Sequence, residues 1–160
     1  MESNKAIERT LVLVKPSGVA RGLIGEVISR MERRGLTIKV ARLLMVTREM
    51  AERHYAEHKG KDFYDALVRF ICSGPVVVMV VEGKEAVAVA RKLIGATFGW
   101  KAEPGTIRGD LGLSNRFNLV HGSDSREKAA FEIGLYFQES ELVRQQPAPW
   151  VYDLSGPEPV

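Results

Sequence analysis

The sequence predicts an α/β (α+β) fold in which helices cover a four-stranded antiparallel sheet. Segments rich in β-branched residues alternate with segments whose apolar residues recur every three to four positions, in the order β-α-β-αα-β-α-β. Residues 76–81 are apolar without interruption, which is typical of a strand buried on both faces at the centre of a sheet. The length of 160 residues is that of one domain, which we place at residues 1–153, with a tail at residues 154–160.

The first half of the chain begins with a strand, a helix and a second strand. Residues 8–15 are predicted as a strand that stops at Pro16, because proline cannot donate a hydrogen bond to the ladder. A turn leads to a helix over residues 22–34, where the apolar positions follow a period of 3.6 up to Gly35. Residues 36–46 are apolar and β-branched with interleaved cations, and they form the second predicted strand.

Two helices separate the second strand from the central one. Thr47 is a candidate N-cap for a helix over residues 48–58, and Asp62 is a candidate N-cap for a helix over residues 63–71. The remaining predicted elements are a helix over residues 84–96, a short strand over residues 118–121 and a final helix over residues 125–137.

A long segment, residues 97–118, lies between the last two helices. It carries four glycines and five charged side chains and is too long for a plain connection in a compact domain, so we expect it to contribute to function. The order of elements suggests a ferredoxin-like βαββαβ fold with helices on one face of the sheet, extra helices and this inserted loop. A fully parallel, doubly wound sheet remains open, because periodicity alone does not separate the two.

Composition limits the class of protein. The chain is 45% apolar and 27% charged, as in folded globular domains. Its longest apolar run falls far short of the roughly 18 residues that a membrane span needs. The single cysteine, Cys72, excludes a disulfide scaffold and indicates a cytoplasmic protein. The net charge of +3 comes without a block of like charges, which permits a nucleic-acid surface but indicates a small anionic ligand equally well. Nucleic acid is not an expected partner.

His121 is the first candidate for catalysis. It ends a short apolar strand and precedes a Gly-Ser-Asp turn and a helix, at a corner where side chains and free N–H groups meet ligands. An imidazole is largely neutral at pH 7 and can attack phosphorus without a separate base. A structural histidine is the alternative that the local sequence leaves open.

Cationic side chains form the second group of candidates. The chain contains neither a P-loop nor a dinucleotide-binding glycine motif, so any phosphate would be held by side chains. The candidates are Lys15, Arg91 and Arg108, although each alone is more often a solvated surface charge. Together with one histidine they suit phosphoryl transfer, where positioning and charge neutralisation supply most of the catalysis.

Two further polar features are assigned no site. His54 and His58 have the i,i+4 spacing that can hold a metal, but HYAEH lacks the glutamate directly after the first histidine that a zincin needs, and no third ligand is evident. Cys72 closes an apolar helix face, which favours a buried structural cysteine. We therefore predict no metal ligand from the protein itself.

Several sequence blocks together resemble the nucleoside diphosphate kinase family over roughly residues 7–153. The most specific is NLVHGSD at residues 118–124, which is similar to the family's signature around its phosphorylated histidine. Other blocks follow the family's order and spacing: KPSGV at 15–19, RG at 21–22, HY at 54–55, SGPVV at 73–77, GAT at 95–97 and PGTIRGD at 104–110.

The resemblance implies an enzyme that moves the γ-phosphate of a nucleoside triphosphate, typically ATP, to a nucleoside diphosphate by a ping-pong reaction through a phosphohistidine at His121, maintaining NTP and dNTP pools. It implies that Glu132, with help from Ser123, orients the imidazole, and that Mg²⁺ bridges the phosphates. Phe63 would stack on the base and Asn118 would contact the sugar. Contacts to phosphates or to the nearby sugar hydroxyl are implied for Lys15, Tyr55, Arg91, Thr97 and Arg108.

The resemblance also implies a homo-oligomer, with a hexamer favoured over a tetramer. WVYD at residues 150–153 resembles a C-terminal piece that packs on a neighbour, so we expect its apolar side chains to dock. Ser17 stands where aspartate is more common, and FGW at 98–100 replaces a proline-containing turn associated with subunit contacts. Asn115 and RF at 116–117 also depart from the family on the base side. A catalytically silent nucleotide- or DNA-binding protein and an oligomeric scaffold are the competing hypotheses.

Overall fold

The four strands form one antiparallel sheet. This computed structural model describes residues 7–145. The strands β1 (Ile7–Val14), β2 (Thr37–Leu44), β3 (Val76–Lys84) and β4 (Val120–Gly122) are arranged in the order β2-β3-β1-β4. Every neighbouring pair is antiparallel. The ferredoxin-like prediction is therefore confirmed, and the parallel doubly wound alternative is wrong.

Helices pack on both faces of this sheet, which corrects the expectation of helices on one face. They are α1 (Pro16–Ala20), α2 (Ile24–Arg33), α3 (Arg48–His54), α4 (Tyr64–Ile71), α5 (Ala86–Ile94), α6 (Ile107–Leu111) and α7 (Arg126–Tyr136). On one face Leu11 and Leu13 pack in a core with residues of α3, α4 and α7. On the other face Val12 and Val14 pack in a core with residues of α2, α5 and α6. Because successive side chains of a strand point to opposite faces, the apolar run at residues 11–14 of β1 requires a cover on each side.

Several local boundaries differ from the sequence prediction. Pro16 occupies the first turn of a short helix, α1, where a turn was expected; the missing N–H of proline costs nothing at that position. The helix predicted over residues 48–58 ends at His54, and a 3₁₀ turn follows at Ala56–His58. Asp62 does not cap α4, whose N-cap is Phe63 without a side-chain cap bond.

The long segment between α5 and β4 folds back onto the N-terminal half of the chain. It contains a 3₁₀ turn at Gly99–Lys101 and the helix α6. Arg30 of α2 forms an ion pair with Asp110 at 2.8 Å, and Arg21 donates to the carbonyl of Leu111 at 2.6 Å. These contacts hold α6 against α2 and the end of α1.

The C-terminal end of the described chain runs along β2, where the N–H of Val143 donates to the carbonyl of Lys39 at 2.9 Å. The expected docking of residues 150–152 and the tail at residues 154–160 lie outside the described residues. Between residues 7 and 145 no helix combines the length and the apolar character needed to cross a membrane.

Candidate active site

A pocket of about 590 Å³ brings together the side chains that the sequence singled out. Its lining includes Lys15, Tyr55, Phe63, Arg91, Thr97, Arg108, Asn118, His121 and Glu132. Ser123 lies behind this lining, against Glu132. A larger cavity of about 890 Å³ lies beside Glu8, Lys39 and Glu82 and contains none of the predicted site residues. The smaller pocket is therefore the candidate site.

His121 occupies the middle of β4, opposite Leu13 of β1. Its Nε2 lies 2.7 Å from Oε2 of Glu132, and the Ser123 hydroxyl donates to the same carboxylate oxygen at 2.8 Å. With Nε2 engaged, Nδ1 is the ring nitrogen left for a ligand. The His121 side chain is 21% exposed, so the imidazole is accessible while its carboxylate partner is fully buried.

The Glu132 carboxyl stays ionised despite its burial. Burial raises the pKa of this carboxyl. The His121 hydrogen bond, the adjacent imidazoles and the Ser123 hydroxyl lower it by more than burial raises it, so the pKa lies below its usual value. Both hydrogen bonds reach Oε2, whereas Oε1 is buried without a partner among the described residues. A fixed negative charge therefore lies behind the imidazole. Glu132 thus faces His121 and not solvent.

His54 is the neighbour that the sequence analysis missed. It ends α3, and its ring meets the edge of the His121 ring with 4.7 Å between centroids. Its Nδ1 lies 3.0 Å from the Tyr136 hydroxyl. Burial, reinforced by His121, lowers the pKa of His54 to about 3, so this imidazole is neutral at working pH. His58 points elsewhere, toward the Phe63 ring.

Tyr55 follows His54 and closes the same side of the pocket. Its ring packs against His54 with 4.8 Å between centroids. Burial raises the pKa of the Tyr55 phenol above its ordinary value, as it does for Tyr136. Both hydroxyls therefore keep their protons and remain able to donate hydrogen bonds.

Lys15 lies where β1 gives way to α1. Its Nζ donates to Oδ1 of Asn118 at 2.6 Å, and its backbone N–H donates to the carbonyl of Leu119 at 2.8 Å. Burial, with a contribution from the Arg108 guanidinium, lowers the pKa of Lys15 to about 7. Among residues 7–145 this buried ammonium has no carboxylate partner, so an anionic ligand would stabilise its charge.

Arg108 clamps the backbone that leads into β4. Its guanidinium donates to the carbonyls of Asn118 at 3.1 Å, Gly95 at 3.1 Å and Val120 at 2.7 Å. Burial, reinforced by Arg91, lowers its pKa to about 10. Arg108 has five N–H donors, so this clamp leaves donors for a ligand.

The backbone at Leu119 is held in a left-handed conformation with φ of 71°, which is uncommon for leucine. Gly18 of α1 allows this geometry, since a Cβ there would lie 2.8 Å from the Leu119 carbonyl oxygen. The close approach of α1 and residue 119 therefore fixes the start of β4, and with it the position of His121.

The rim of the pocket combines an aromatic ring with polar groups. The Phe63 side chain is 48% exposed, which is more than a core residue shows. Asn118 donates from Nδ2 to the Thr97 carbonyl at 3.3 Å, and exposed Arg91 donates to the Gly122 carbonyl at 3.3 Å. Asn115 also lines this rim. The pocket thus offers an imidazole in a fixed orientation, several cations and a flat apolar ring.

Comparison with protein families and relatives gives one result. The family model described as nucleoside diphosphate kinase matches residues 8–142. A nucleoside diphosphate kinase of Thermomicrobium roseum is 58% identical over 142 residues, covering 89% of this chain and 95% of the relative. One of Archaeoglobus fulgidus is 56% identical over 149 residues, covering 92% and 99%.

Comparison with solved structures points to the same family. A halophilic nucleoside diphosphate kinase from Halobacterium salinarum in complex with CDP superposes with a TM-score of 0.88 at 47% identity, covering 92% of this chain and 99% of that one. A nucleoside diphosphate kinase family protein from Babesia bovis gives a TM-score of 0.87 at 44% identity, with coverages of 91% and 99%. Both likenesses extend over nearly the whole chain.

Proposed function

Because this chain belongs to the nucleoside diphosphate kinase family, we propose that His121 carries the phosphate between its two nucleotide substrates. The chain is a phosphotransferase that moves the γ-phosphate of a nucleoside triphosphate to a nucleoside diphosphate. The observation that carries the assignment to His121 is its contact with Glu132, at 2.7 Å from Nε2.

The reacting atom is Nδ1 of His121. A neutral imidazole carries one proton and one in-plane lone pair. When Nε2 donates its hydrogen to the ionised Glu132, the lone pair stands on Nδ1 and can attack the γ-phosphorus. The bond from phosphorus to the β–γ bridging oxygen breaks, its electron pair leaves with the nucleoside diphosphate, and Nδ1 holds the phosphoryl group. A second nucleoside diphosphate then attacks that phosphorus, and the lone pair returns to Nδ1.

Glu132 positions the ring and stabilises the positive charge that develops on it. Imidazole becomes cationic as Nδ1 forms its bond to phosphorus, and a buried carboxylate 2.7 Å from Nε2 offsets that charge. Ser123 fixes the carboxylate by donating to the same oxygen. Glu132 and Ser123 therefore act through His121.

Cationic and hydroxyl groups of the pocket hold the phosphates. Lys15, Arg91 and Arg108 supply positive charge, which positions the transferring group and offsets its charge. Tyr55 keeps its proton, because burial raises the pKa of its phenol, and so donates to a phosphate or to the nearby sugar hydroxyl. Thr97 lies beside Asn118 and contributes at the same end of the pocket.

Asn118 and Phe63 receive the nucleoside. The Asn118 side chain already joins Lys15 to the Thr97 carbonyl, which places an amide between the phosphate end and the rim. The exposed ring of Phe63 offers its face to a base, and every base has such a face, so stacking there is tolerant of base identity.

Mg²⁺ enters as part of the nucleotide. Lys15, Arg91 and Arg108 make the phosphate end of the pocket cationic, which disfavours a bare divalent ion but suits a triphosphate that carries one. When bound, Mg²⁺ neutralises charge on the phosphate oxygens. The side chains of this chain hold the phosphates around it.

The chain assembles as a homo-oligomer, with a hexamer favoured over a tetramer. Large apolar side chains remain exposed on the single chain, including Leu43 in the edge strand β2, Met45 just after it, and Trp100 and Leu113 in the long segment. Such side chains support subunit contacts. We place the enzyme in the cytoplasm, which its single cysteine, Cys72, supports.

Initial-rate kinetics combined with His121→Ala test the assignment. The wild type is expected to give parallel double-reciprocal lines when both nucleotides are varied, the pattern of a covalent intermediate. The variant is expected to keep its fold and assembly and to lose transfer. Intersecting lines, or a variant with more than about one hundredth of the wild-type rate, would exclude direct attack by His121.

A further inference from the structure

We propose that His54, His121 and Glu132 form a binding site for a transition-metal ion of the Zn²⁺ class, and that an ion bound there silences His121. One ring nitrogen of each imidazole and one oxygen of the carboxylate lie within 4.8 Å of one another. Two imidazoles with one carboxylate are a donor set that zinc accepts, with its fourth position left open.

The unused oxygen of Glu132 is the second observation that points to a cation. Both hydrogen bonds to this carboxylate reach Oε2, and Oε1 is buried without a partner among residues 7–145. A buried, ionised oxygen that accepts no hydrogen bond is costly. A metal ion that the carboxylate binds through both of its oxygens would satisfy it.

A contact outside the cluster holds the His54 ring in place. The His54 Nδ1 contact with the Tyr136 hydroxyl leaves Nε2 as the ligand nitrogen and orients the ring. Such an outer contact is typical of ligand histidines, whose second nitrogen is usually hydrogen-bonded.

Binding requires the three ligand atoms to move. Zinc lies about 2.0–2.1 Å from nitrogen and oxygen ligands, so ligand atoms around a tetrahedral ion are roughly 3.3 Å apart. Nε2 of His121 and Oε2 of Glu132 are 2.7 Å apart and must separate by about 0.6 Å, whereas a pair at the 4.8 Å limit of the cluster must close by about 1.5 Å. The partly exposed His121 ring is the one with room to shift.

The ligand atoms of this site determine which metal ion it binds. Mg²⁺ prefers oxygen ligands and gives up its water reluctantly, so two imidazoles do not suit it. The positive charges of Lys128 and Lys15 act on His54 and weaken a purely electrostatic attraction for any cation. Only an ion that forms strong bonds to imidazole nitrogen overcomes this repulsion, which favours Zn²⁺ and its neighbours in the transition series.

A metal ion bound at this site would stop phosphoryl transfer because it changes the tautomer of His121. This consequence rests on the proposed function. A metal bound to Nε2 uses the lone pair there, and the single proton of the neutral ring then stands on Nδ1. Nδ1 has no lone pair for phosphorus in that form. No bond to phosphorus forms until the ion leaves, so the site would make the enzyme sensitive to free transition metal.

Zinc titration of the unmodified, tag-free full-length chain tests the site directly, with a chromophoric chelator as competitor. The test variant is His54→Gln, whose amide still faces the Tyr136 hydroxyl. The matched control is His58→Gln, the same change at a pocket histidine outside the cluster. We expect one equivalent of Zn²⁺ in the wild type and in His58→Gln, and at least about tenfold weaker binding in His54→Gln.

Three outcomes would overturn the proposal: no saturable zinc binding by the wild type, unchanged binding by His54→Gln, or an equal loss in His58→Gln. If His54→Gln does not fold, Glu132→Gln takes its place, and unchanged zinc affinity in that variant also overturns the proposal.

A second measurement separates this site from the proposed function. The rate at which γ-labelled ATP labels the protein is followed in zinc buffers, and we expect half-inhibition near the Kd measured by titration. Undiminished labelling with the site saturated would refute the silencing of His121. Absence of label in metal-free buffer would instead refute the phosphohistidine, while the binding titration would still decide the metal site.

Discussion

Glu132 and His121 are eleven residues apart in sequence, and their side chains meet with 2.7 Å between the buried carboxylate and Nε2 of the imidazole. The carboxylate has no exposed surface, whereas the imidazole is reached from the pocket. This contact decides which ring nitrogen can react. It also supplies a negative charge behind the ring when Nδ1 becomes bonded to phosphorus.

Replacing Glu132 with glutamine should lower kcat more than it raises KM. The amide keeps the shape of the carboxylate but removes its charge, and a hydrogen bond to a charged group contributes about 1.5–3 kcal/mol. We expect a rate loss of about one to two orders of magnitude in steady-state assays. Ser123→Ala, which removes only a contact to the carboxylate, should cost less. An undiminished kcat in Glu132→Gln would remove Glu132 from the mechanism.

The pH dependence of kcat/KM should report the deprotonation of Lys15. Because burial lowers the pKa of this ammonium to about 7, the free enzyme loses the positive charge as pH rises through 7. We expect kcat/KM for the nucleotide to fall above that pH. In Lys15→Arg, whose charge persists at every working pH, this inflection should vanish whatever the absolute rate. Identical profiles for the two proteins would show that Lys15 does not titrate in this range.

Gly18→Ala should disturb the site from outside the pocket. The added Cβ would lie 2.8 Å from the Leu119 carbonyl oxygen and 2.8 Å from Cγ1 of Val14, so α1 and the start of β4 must move apart. We expect a loss of about 1–3 kcal/mol in the free energy of unfolding, with slower transfer. Gly25→Ala in α2 is the control, because its Cβ meets nothing within 4 Å. Equal stability of both variants would argue against the close approach at Gly18.

Arg108 and Arg91 should differ in what their loss affects. Lysine at position 108 can reach at most one of the three carbonyls that Arg108 binds, so Arg108→Lys should lose about 3 kcal/mol of stability as well as activity. Exposed Arg91 makes one long contact, and Arg91→Lys should change stability by less than about 0.5 kcal/mol while raising the nucleotide KM. Chemical denaturation and steady-state kinetics of both variants decide this. Equal stabilities would contradict the clamp.

Local patterns in the sequence were sufficient for the strands, for the helical stripes and for the corner at His121. The two-sided cover of the sheet was also visible, because residues 11–14 are as uninterruptedly apolar as residues 76–81, but the one-face expectation did not use it. The cap assigned to Asp62 is wrong because α4 begins one residue later than predicted, at Tyr64. Phe63 is therefore the N-cap, and it makes no side-chain cap bond.

Contacts between distant elements could not be predicted from these patterns. His54 and His121 meet because α3 packs on the face of the sheet to which Leu13 and its β4 partner His121 point, and no periodicity records that contact. The three carbonyl contacts of Arg108 likewise depend on the left-handed backbone at Leu119. The family resemblance supplied candidate residues in this region. Which of them contact one another, and which bind backbone carbonyls, follows only from the three-dimensional structure.

The most direct test of the account is incubation of the protein with γ-labelled ATP and Mg²⁺, treatment with acid and with alkali, and a chase with GDP. We expect label that is acid-labile and alkali-stable, that maps to His121 in the digested protein and that passes to GTP in the chase. A well-folded protein that takes up no label, or one whose label maps to another residue, would contradict the assignment of His121 as the phosphate carrier.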